Sequence, residues 1–164
     1  MYKRQKLDIT ENDTSNKDDL TGSIDEQKKF FEYRMQVSFE ETNVVGNVYF
    51  ANYFVWQGKC REAFLAKYAP QVLQDFAEGH GMITKESSCE FYNESFAFDS
   101  LLIKMSLDKV NRTSITMNFF YYRIDGSELV HLATGRQSTI WASPGQKIAM
   151  LPDYLYDAVQ AFAT

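Results

Sequence analysis

One long apolar segment, from about residue 48 to residue 68, constrains the fold more than any other part of the chain. It contains no proline and few β-branched residues, and Pro70 follows it closely. The segment is too long for a single strand, so it predicts a helix. Its first half is apolar on nearly every side, which is typical of a helix wrapped by other structure. Any fold for this chain therefore has one buried helix at its centre.

The sequence on both sides of this helix predicts β-strands. Before it, Tyr33, Met35, Val37 and Phe39 alternate with polar residues, and this period of two indicates a half-buried strand. After it, a short helical stretch covers about residues 71–78. Four further strand-like runs follow, at about residues 83–92, 101–110, 113–123 and 129–142.

Turn signals connect these runs. Asn111-Arg112 and Asp125-Gly126 predict hairpins, and Pro152 opens a short C-terminal helix. The order of strand, buried helix and four antiparallel strands is an α+β layout with one helix laid across one sheet. The edge strands of such a sheet need covering, so we expect association through them.

The N-terminal segment differs in composition from the rest of the chain. Residues 1–28 are polar, charged and almost free of aromatic side chains, so they predict a disordered tail before a folded domain at residues 29–164. The tail lacks the apolar core of a signal peptide, and no stretch approaches the roughly 18 apolar residues of a membrane span. We therefore expect a cytoplasmic protein.

Charge and cysteine content exclude several classes of protein. The net charge is −5, and no run of Lys and Arg occurs outside the mixed-charge N-terminus, which argues against nucleic-acid binding. Cys60 and Cys89 cannot build a disulfide framework and lack the spacing of metal ligands. Aromatic residues make up 15% of the chain, which indicates either a flat apolar tunnel or a β-rich core.

The start of the central helix is a candidate site. A helix N-terminus presents unpaired N–H groups and a partial positive charge, which can hold a developing oxyanion. Farther along, Tyr53, Gln57 and Arg61 lie at i, i+4 and i+8 and form one polar stripe on an otherwise apolar helix. Arg61 therefore lies near a buried site or reaches the exposed flank of the helix, where it could pair with a carboxylate such as Glu62 or Glu41 and only anchor the helix.

Two segments of this region carry a family resemblance. They resemble the loop-and-helix signature of the 4-hydroxybenzoyl-CoA thioesterase branch of the hotdog superfamily, and more closely that of the enediyne polyketide thioesterases: TNVVGNVYFANY at residues 42–53 and WQGKCRE at 56–62. The likeness covers about residues 30–164. It implies a hotdog fold, in which a five-stranded antiparallel sheet wraps a long central helix. It also implies dimers and often tetramers, with the active site at a subunit interface.

The resemblance assigns roles to particular residues. In the hydroxybenzoyl-CoA branch an aspartate at the position of Asn43 is nucleophile or general base, and an amide can do neither. In the enediyne enzymes the residues that match Asn43, Tyr53 and Arg61 line the site. The mechanism we expect has the backbone N–H of Phe50 in an oxyanion hole and Asn43 positioning the water or the carbonyl. Arg61 then stabilises negative charge or grips an oxygen of the acyl chain, and Tyr53 orients these groups. Glu41 is a candidate base close in sequence.

The enediyne resemblance implies a substrate as well. Those enzymes release a linear conjugated polyene, or its β-keto precursor, from the acyl carrier domain of an iterative polyketide synthase, and a β-keto acid can then lose CO₂. The carrier presents the acyl group on phosphopantetheine, so no metal or loosely bound cofactor is required. Gln57 is a candidate for substrate binding. Aromatic candidates for a polyene tunnel, each of which could equally be core, are Phe54, Trp56, Phe64, Phe91 and Tyr92.

Three alternatives remain open. A general acyl-CoA thioesterase would share the fold and the reaction and differ in its carrier, although the WQGKCRE segment argues against it. A hotdog dehydratase would need a catalytic histidine, and neither His80 nor His131 lies in the loop or the central helix. A non-catalytic module would bind an acyl chain without turnover, which the amide of Asn43 allows. Cys60, next to Arg61, is either a thiol of lowered pKa or buried core.

Overall fold

The computed structural model describes residues 28–163, in which five antiparallel strands form one sheet beside three α-helices. The sheet order is β1-β3-β4-β5-β2, so α1 and α2 carry the chain from one edge of the sheet to the other. The predicted tail lies outside the described residues, except for Lys28. In chain order the elements are β1 (Phe31–Gln36), α1 (Ala51–Tyr68), α2 (Val72–Ala77), β2 (Gly81–Phe91), β3 (Ser100–Val110), β4 (Ser114–Asp125), β5 (Glu128–Ala142) and α3 (Asp153–Ala163).

The core lies between α1 and one face of the sheet, as the long apolar segment predicts. Trp56, Cys60 and Phe64 occupy successive turns on one side of α1 and are at most 2% exposed. Burial of each large side chain contributes about 1.5–3 kcal/mol. The strand residues that share this core and are fully buried include Ile103, Met105, Phe119 and Tyr121.

The predicted connections are confirmed with small shifts in their ends. Asp125 pairs with Glu128 across a tight turn in which Gly126 has φ +63°, a conformation that glycine adopts without strain. The C-terminal helix begins directly after Pro152, whose carbonyl accepts from the N–H of Leu155 at 3.0 Å. Within residues 28–163, no helix has both the length and the apolar character needed to cross a membrane.

The loop before α1 is longer than the periodicity predicts. The first strand was expected to reach Phe39 and the helix to begin near Val48, but β1 ends at Gln36 and α1 begins at Ala51. The chain turns because Phe39–Glu41 forms a 3₁₀ turn, which leaves Phe39 75% exposed. Val48 forms a bridge to Thr42 instead of a helical turn. These are backbone contacts that the apolar pattern does not encode.

The closest approach of α1 to the sheet is at Gly135 in β5. A Cβ at this position would overlap the side-chain nitrogen of Gln57 and lie 3.3 Å from the ring of Tyr121. Gln57 is fully buried, and its amide donates to the carbonyl of Ser88 at 3.1 Å. The helix can therefore sit this close only over a residue without a side chain.

We expect Gly135→Ala to lower the free energy of unfolding by about 1–3 kcal/mol, because Gln57 must leave its hydrogen bond or β5 must shift. Urea denaturation measures the change. Gly81→Ala is the matched control, since Gly81 is also in a strand and a Cβ there meets nothing within 4 Å. Equal losses in the two variants would contradict the close approach.

Candidate active site

The loop before α1 is a tight turn held by its own backbone. The N–H of Asn43 donates to the carbonyl of Asn47, and the N–H of Gly46 donates back to the carbonyl of Asn43, both at 2.9 Å. Gly46 has φ +92°, the left-handed region that a side chain disfavours. These bonds hold the backbone of Asn43 in place.

The side chain of Asn43 is oriented by the same turn. Its Oδ1 accepts the N–H of Val45 at 2.9 Å, which identifies the oxygen end of the amide. Within residues 28–163 its Nδ2 donates no hydrogen bond, and the residue is half-buried. Asn43 therefore offers hydrogen-bond donors to a ligand, and it cannot remove a proton from water.

The N-terminus of α1 provides two further donors. The N–H groups of Asn52 and Tyr53 bond to the carbonyls of Tyr49 and Phe50, at 3.0 and 3.2 Å. The N–H groups of Phe50 and Ala51 donate to no group in the described part of the chain, and Phe50 is 55% exposed. Two open N–H groups at the positive end of an 18-residue helix can stabilise an oxyanion.

Glu41 holds the loop against the helix. It is 9% exposed, and both carboxylate oxygens are engaged: Oε1 accepts the indole N–H of Trp56 and Oε2 accepts the backbone N–H of Ser38, each at 2.8 Å. The Nζ of Lys59 lies 3.9 Å from Oε1. Because both oxygens of this carboxylate accept structural hydrogen bonds, the geometry argues against Glu41 as the general base.

Tyr53 lies in an aromatic cluster at the first turns of α1. It is 3% exposed, and its ring centroid is 4.8 Å from that of Trp56, 5.0 Å from Phe91 and 5.2 Å from Tyr121. Burial raises the pKa of Tyr53 above its usual value, and the neighbouring Cys89 adds to the shift. A tyrosine is already protonated at physiological pH, and this shift keeps the phenol of Tyr53 a hydrogen-bond donor that cannot act as a phenolate base.

Arg61 bonds to an amide and not to Glu62 or Glu41. Its Nη1 donates to Oε1 of Gln137 in β5 at 2.8 Å. Its Nε is buried and has no partner within residues 28–163. Burial lowers the pKa of Arg61 from the usual value, although a guanidinium keeps its charge at neutral pH. Arg61 is therefore a partly desolvated cation with donor capacity to spare.

The polar stripe of α1 forms a network with two strands. Gln57 accepts from the Oγ of Ser87 at 2.8 Å and from the Nε2 of Gln137 at 3.4 Å, and it donates to the carbonyl of Ser88. The amide of Gln57 is thus engaged at both ends, so it positions Gln137, which in turn holds Arg61. Sequence reasoning missed Gln137. The available signal was a polar residue among the inward positions of β5, between Gly135 and Thr139.

Arg61 also lines a cavity of about 270 Å³. This cavity lies well along α1 from the loop, because Arg61 is about 16 Å from Phe50 along the helix axis. A single chain therefore does not bring Arg61 together with Asn43 and the open N–H groups. The other residues around the cavity include Glu62, Phe76, His80, Gly81 and Met82.

The remaining candidates fall into two groups. Trp56 and Phe64 are core residues at 0% and 2% exposure, whereas Phe91 and Tyr92 are 45% and 47% exposed. Phe54 is half-buried on α1. The contact of Phe91 with Tyr53 extends the aromatic cluster to the surface, while Tyr92 packs on His131 at 4.9 Å.

Cys60 is a core residue and not an activated thiol. It is fully buried, and burial raises the pKa of its thiol to about 12. Its sequence position next to Arg61 does not lower that pKa. Nucleophilic catalysis by this cysteine is therefore unfavourable at neutral pH.

Comparison with known proteins decides the family. The sequence model of the thioesterase-like superfamily matches residues 37–159. The chain belongs to this superfamily. Among solved structures, the dynemicin thioesterase is 38% identical, with a TM-score of 0.77 over 82% of this chain and 98% of that one. No curated protein sequence matches this chain.

Two more distant structures support the fold alone. A gentisyl-coenzyme A thioesterase is 20% identical with a TM-score of 0.70, covering 79% of this chain and 99% of that one. A 1,4-dihydroxy-2-naphthoyl-CoA thioesterase from Synechocystis is 18% identical with a TM-score of 0.68, covering 80% and 96%. The predicted hotdog fold is confirmed, and this member of the thioesterase-like superfamily is a thioester hydrolase.

Glu41→Gln tests whether the carboxylate is structural or catalytic. We expect the free energy of unfolding to fall by about 1–3 kcal/mol, because the amide NH₂ must face one of two N–H donors. Hydrolysis measured well below the new melting temperature should stay within about tenfold of wild type. Removal of a general base would reduce hydrolysis by about 10²–10⁴-fold. A reduction of that size would contradict a purely structural role for Glu41.

Proposed function

We propose that this thioesterase hydrolyses a polyunsaturated or β-keto acyl thioester on the acyl carrier domain of an iterative enediyne-type polyketide synthase. The product is a linear polyene acid, and a β-keto acid product then loses CO₂. The observation that carries the proposal is the 38% identity to the dynemicin thioesterase, whose crystal structures concern polyene binding. A carrier-bound substrate of this kind agrees with the predicted cytoplasmic location.

The site supports hydrolysis without a protein base. Water attacks the thioester carbonyl carbon, and the C=O electron pair moves onto oxygen, where the N–H groups of Phe50 and Ala51 stabilise the charge. Asn43 donates its Nδ2 hydrogens to this oxygen or to the water. The C–S bond then breaks, and the proton lost by the water ends on the departing thiolate. Fixed donors, and not proton abstraction, therefore provide most of the rate.

A second copy of the chain would supply the positive charge that is missing at the loop, because its Arg61 could reach the site that the first copy's Arg61 cannot. The strand β2 is at a sheet edge, and its residues 83–88 are exposed. If two copies pair antiparallel along this edge, their α1 helices also run antiparallel. A two-fold axis near Gln57 then places Arg61 of one helix level with Tyr53 of the other. Gly58 leaves room for this contact, since a Cβ there meets nothing within 4 Å. Two such dimers would form the expected tetramer.

Docking of an acidic carrier would need a basic patch, for which Lys109, Arg112 and Arg123 are candidates that differ in availability. The side chain of Arg123 is 13% exposed and donates to the carbonyl of Glu94 at 2.8 Å. Arg112 pairs with Asp153 at 3.0 Å and stacks over the ring of Tyr156. Both arginines are engaged within the chain, which leaves Lys109 as the candidate contact for an acidic carrier.

Thiol release from a β-ketoacyl or polyenoyl thioester tests the proposed function. We expect wild type to hydrolyse the carrier-bound substrate, and Arg61→Ala and Asn43→Ala each to reduce kcat by about 10²-fold, as loss of a fixed oxyanion donor does. Arg112→Ala is the control, because this arginine pairs with Asp153 and stacks over Tyr156, neither of which belongs to the site.

The same assay distinguishes the alternatives. Equal turnover of the CoA thioester would favour a general acyl-CoA thioesterase. Acyl binding without turnover on either donor would identify a binding module. Full activity in Arg61→Ala would show that Arg61 takes no part in the hydrolysis.

Mixing the two inactive variants tests the shared site. A dimer of Asn43→Ala with Arg61→Ala contains one site with both substitutions and one with neither, if each site takes these residues from different chains. After joint refolding from urea we expect about a quarter of wild-type activity, because half of the dimers are mixed and one of their two sites is intact. Activity no higher than that of the separate variants would show that both residues act within one chain.

A further inference from the structure

Three side chains with metal-binding groups lie together at the end of α2. Asp75, Glu78 and His80 each offer one ligand atom, and these atoms all lie within 4.8 Å of one another. They are close because the chain reverses sharply: the N–H of His80 donates to the carbonyl of Asp75 at 3.0 Å. Gly79, with φ +92°, permits this turn. The cluster is separate from the loop that carries Asn43.

The ligand types favour a zinc-like divalent ion. One imidazole and two carboxylates suit Zn²⁺, which binds nitrogen and oxygen ligands at about 2.0–2.2 Å. Ligand atoms around such an ion are about 3.5 Å apart. Small rotations of side chains in a turn can bring the three atoms to that spacing. With three protein ligands, a tetrahedral ion keeps one position for water.

A second observation concerns the imidazole itself. The Nδ1 of His80 is buried and has no hydrogen-bond partner within residues 28–163. Buried polar atoms without hydrogen-bond partners are rare in proteins, so each one indicates a further ligand or another specific cause. A metal ion bound at Nδ1 would give this atom its partner.

Contacts from neighbouring elements hold the ligands in place. The hydroxyl of Tyr154 in α3 donates to Oδ2 of Asp75. The ring of His80 stacks on Trp141 in β5, with 5.9 Å between centroids and an interplanar angle of 23°. Metal ligands are typically oriented by outer contacts of this kind. The cluster is thus positioned by two elements besides its own.

We propose that Asp75, Glu78 and His80 bind one divalent transition-metal ion of the zinc class. His80 and Gly81 also line the cavity beside Arg61. The bound ion therefore braces the turn between α2 and β2, which forms one wall of that cavity. The ion would thus lie beside Arg61 and apart from the loop of Asn43, and its binding does not depend on which thioester the enzyme hydrolyses.

Isothermal titration of the tag-free full chain with zinc chloride tests the proposal. We expect wild type to bind one zinc ion, and His80→Ala and Glu78→Gln each to weaken binding at least tenfold. Glu78 is exposed, so Glu78→Gln changes its charge without disturbing the core. His131→Ala is the matched control, because His80 and His131 are the only histidines and residues 1–27 contain neither His nor Cys. Absence of binding by wild type, or unchanged binding in both site variants, would overturn the site.

Thermal unfolding gives an independent readout. At a zinc concentration a hundred times Kd, the melting temperature of wild type and of His131→Ala should rise by about 5–10 °C. The melting temperature of Glu78→Gln should rise by at most about half as much, because a site at least ten times weaker gives no more than about half the stabilisation at this concentration. An equal rise in Glu78→Gln would place the zinc elsewhere and contradict the assignment.

Discussion

The buried carboxylate of Glu41 is the interaction on which the loop and the start of α1 depend. Its two oxygens accept N–H groups from Ser38 and Trp56, and its backbone carbonyl accepts from Tyr49 and from the side chain of Asn52. A carboxylate with so little exposure to water is tolerated only when its oxygens are paired. Because all these bonds converge on one residue, the loop cannot move away from the helix without breaking them.

This use of Glu41 determines what chemistry remains available. The open hydrogen-bond donors at the loop are the N–H groups of Phe50 and Ala51 and the Nδ2 of Asn43, while the Oδ1 of Asn47 is a buried acceptor without a partner in the described residues. Burial raises the pKa of Tyr53 further above neutral, so its phenol stays protonated. Donors of this kind bind negative charge that develops on a carbonyl oxygen, and none of these groups is a base that removes a proton from water. Such a site suits a thioester, whose thiolate leaves readily and can accept the proton itself.

Periodicity predicted the elements well and their contacts poorly. The central helix, five strands and two hairpins follow from local patterns, so they were confirmed within a few residues. The loop boundaries were wrong because they depend on Glu41 and Trp56, which lie far apart in sequence. The polar stripe left open whether Arg61 lies near a buried site or pairs with a carboxylate such as Glu62 or Glu41, and its partner is the amide of Gln137 in the last strand. The cluster at Asp75 and His80 was missed because it forms only through the left-handed turn at Gly79.

The separation of Arg61 from Asn43 gives the central helix a double role. Its first turn supplies backbone donors, while its middle supplies a desolvated cation that its own loop cannot reach. In the proposed antiparallel pair of helices these two features would meet twice, once on each side of the two-fold axis, so each helix would contribute to two sites. The hydrogen bonds of Gln57 and Gln137 would then have a catalytic consequence, because they fix the guanidinium that the other chain would use. The proposed pairing would thus give a function to the fully bonded, buried amide in the middle of α1.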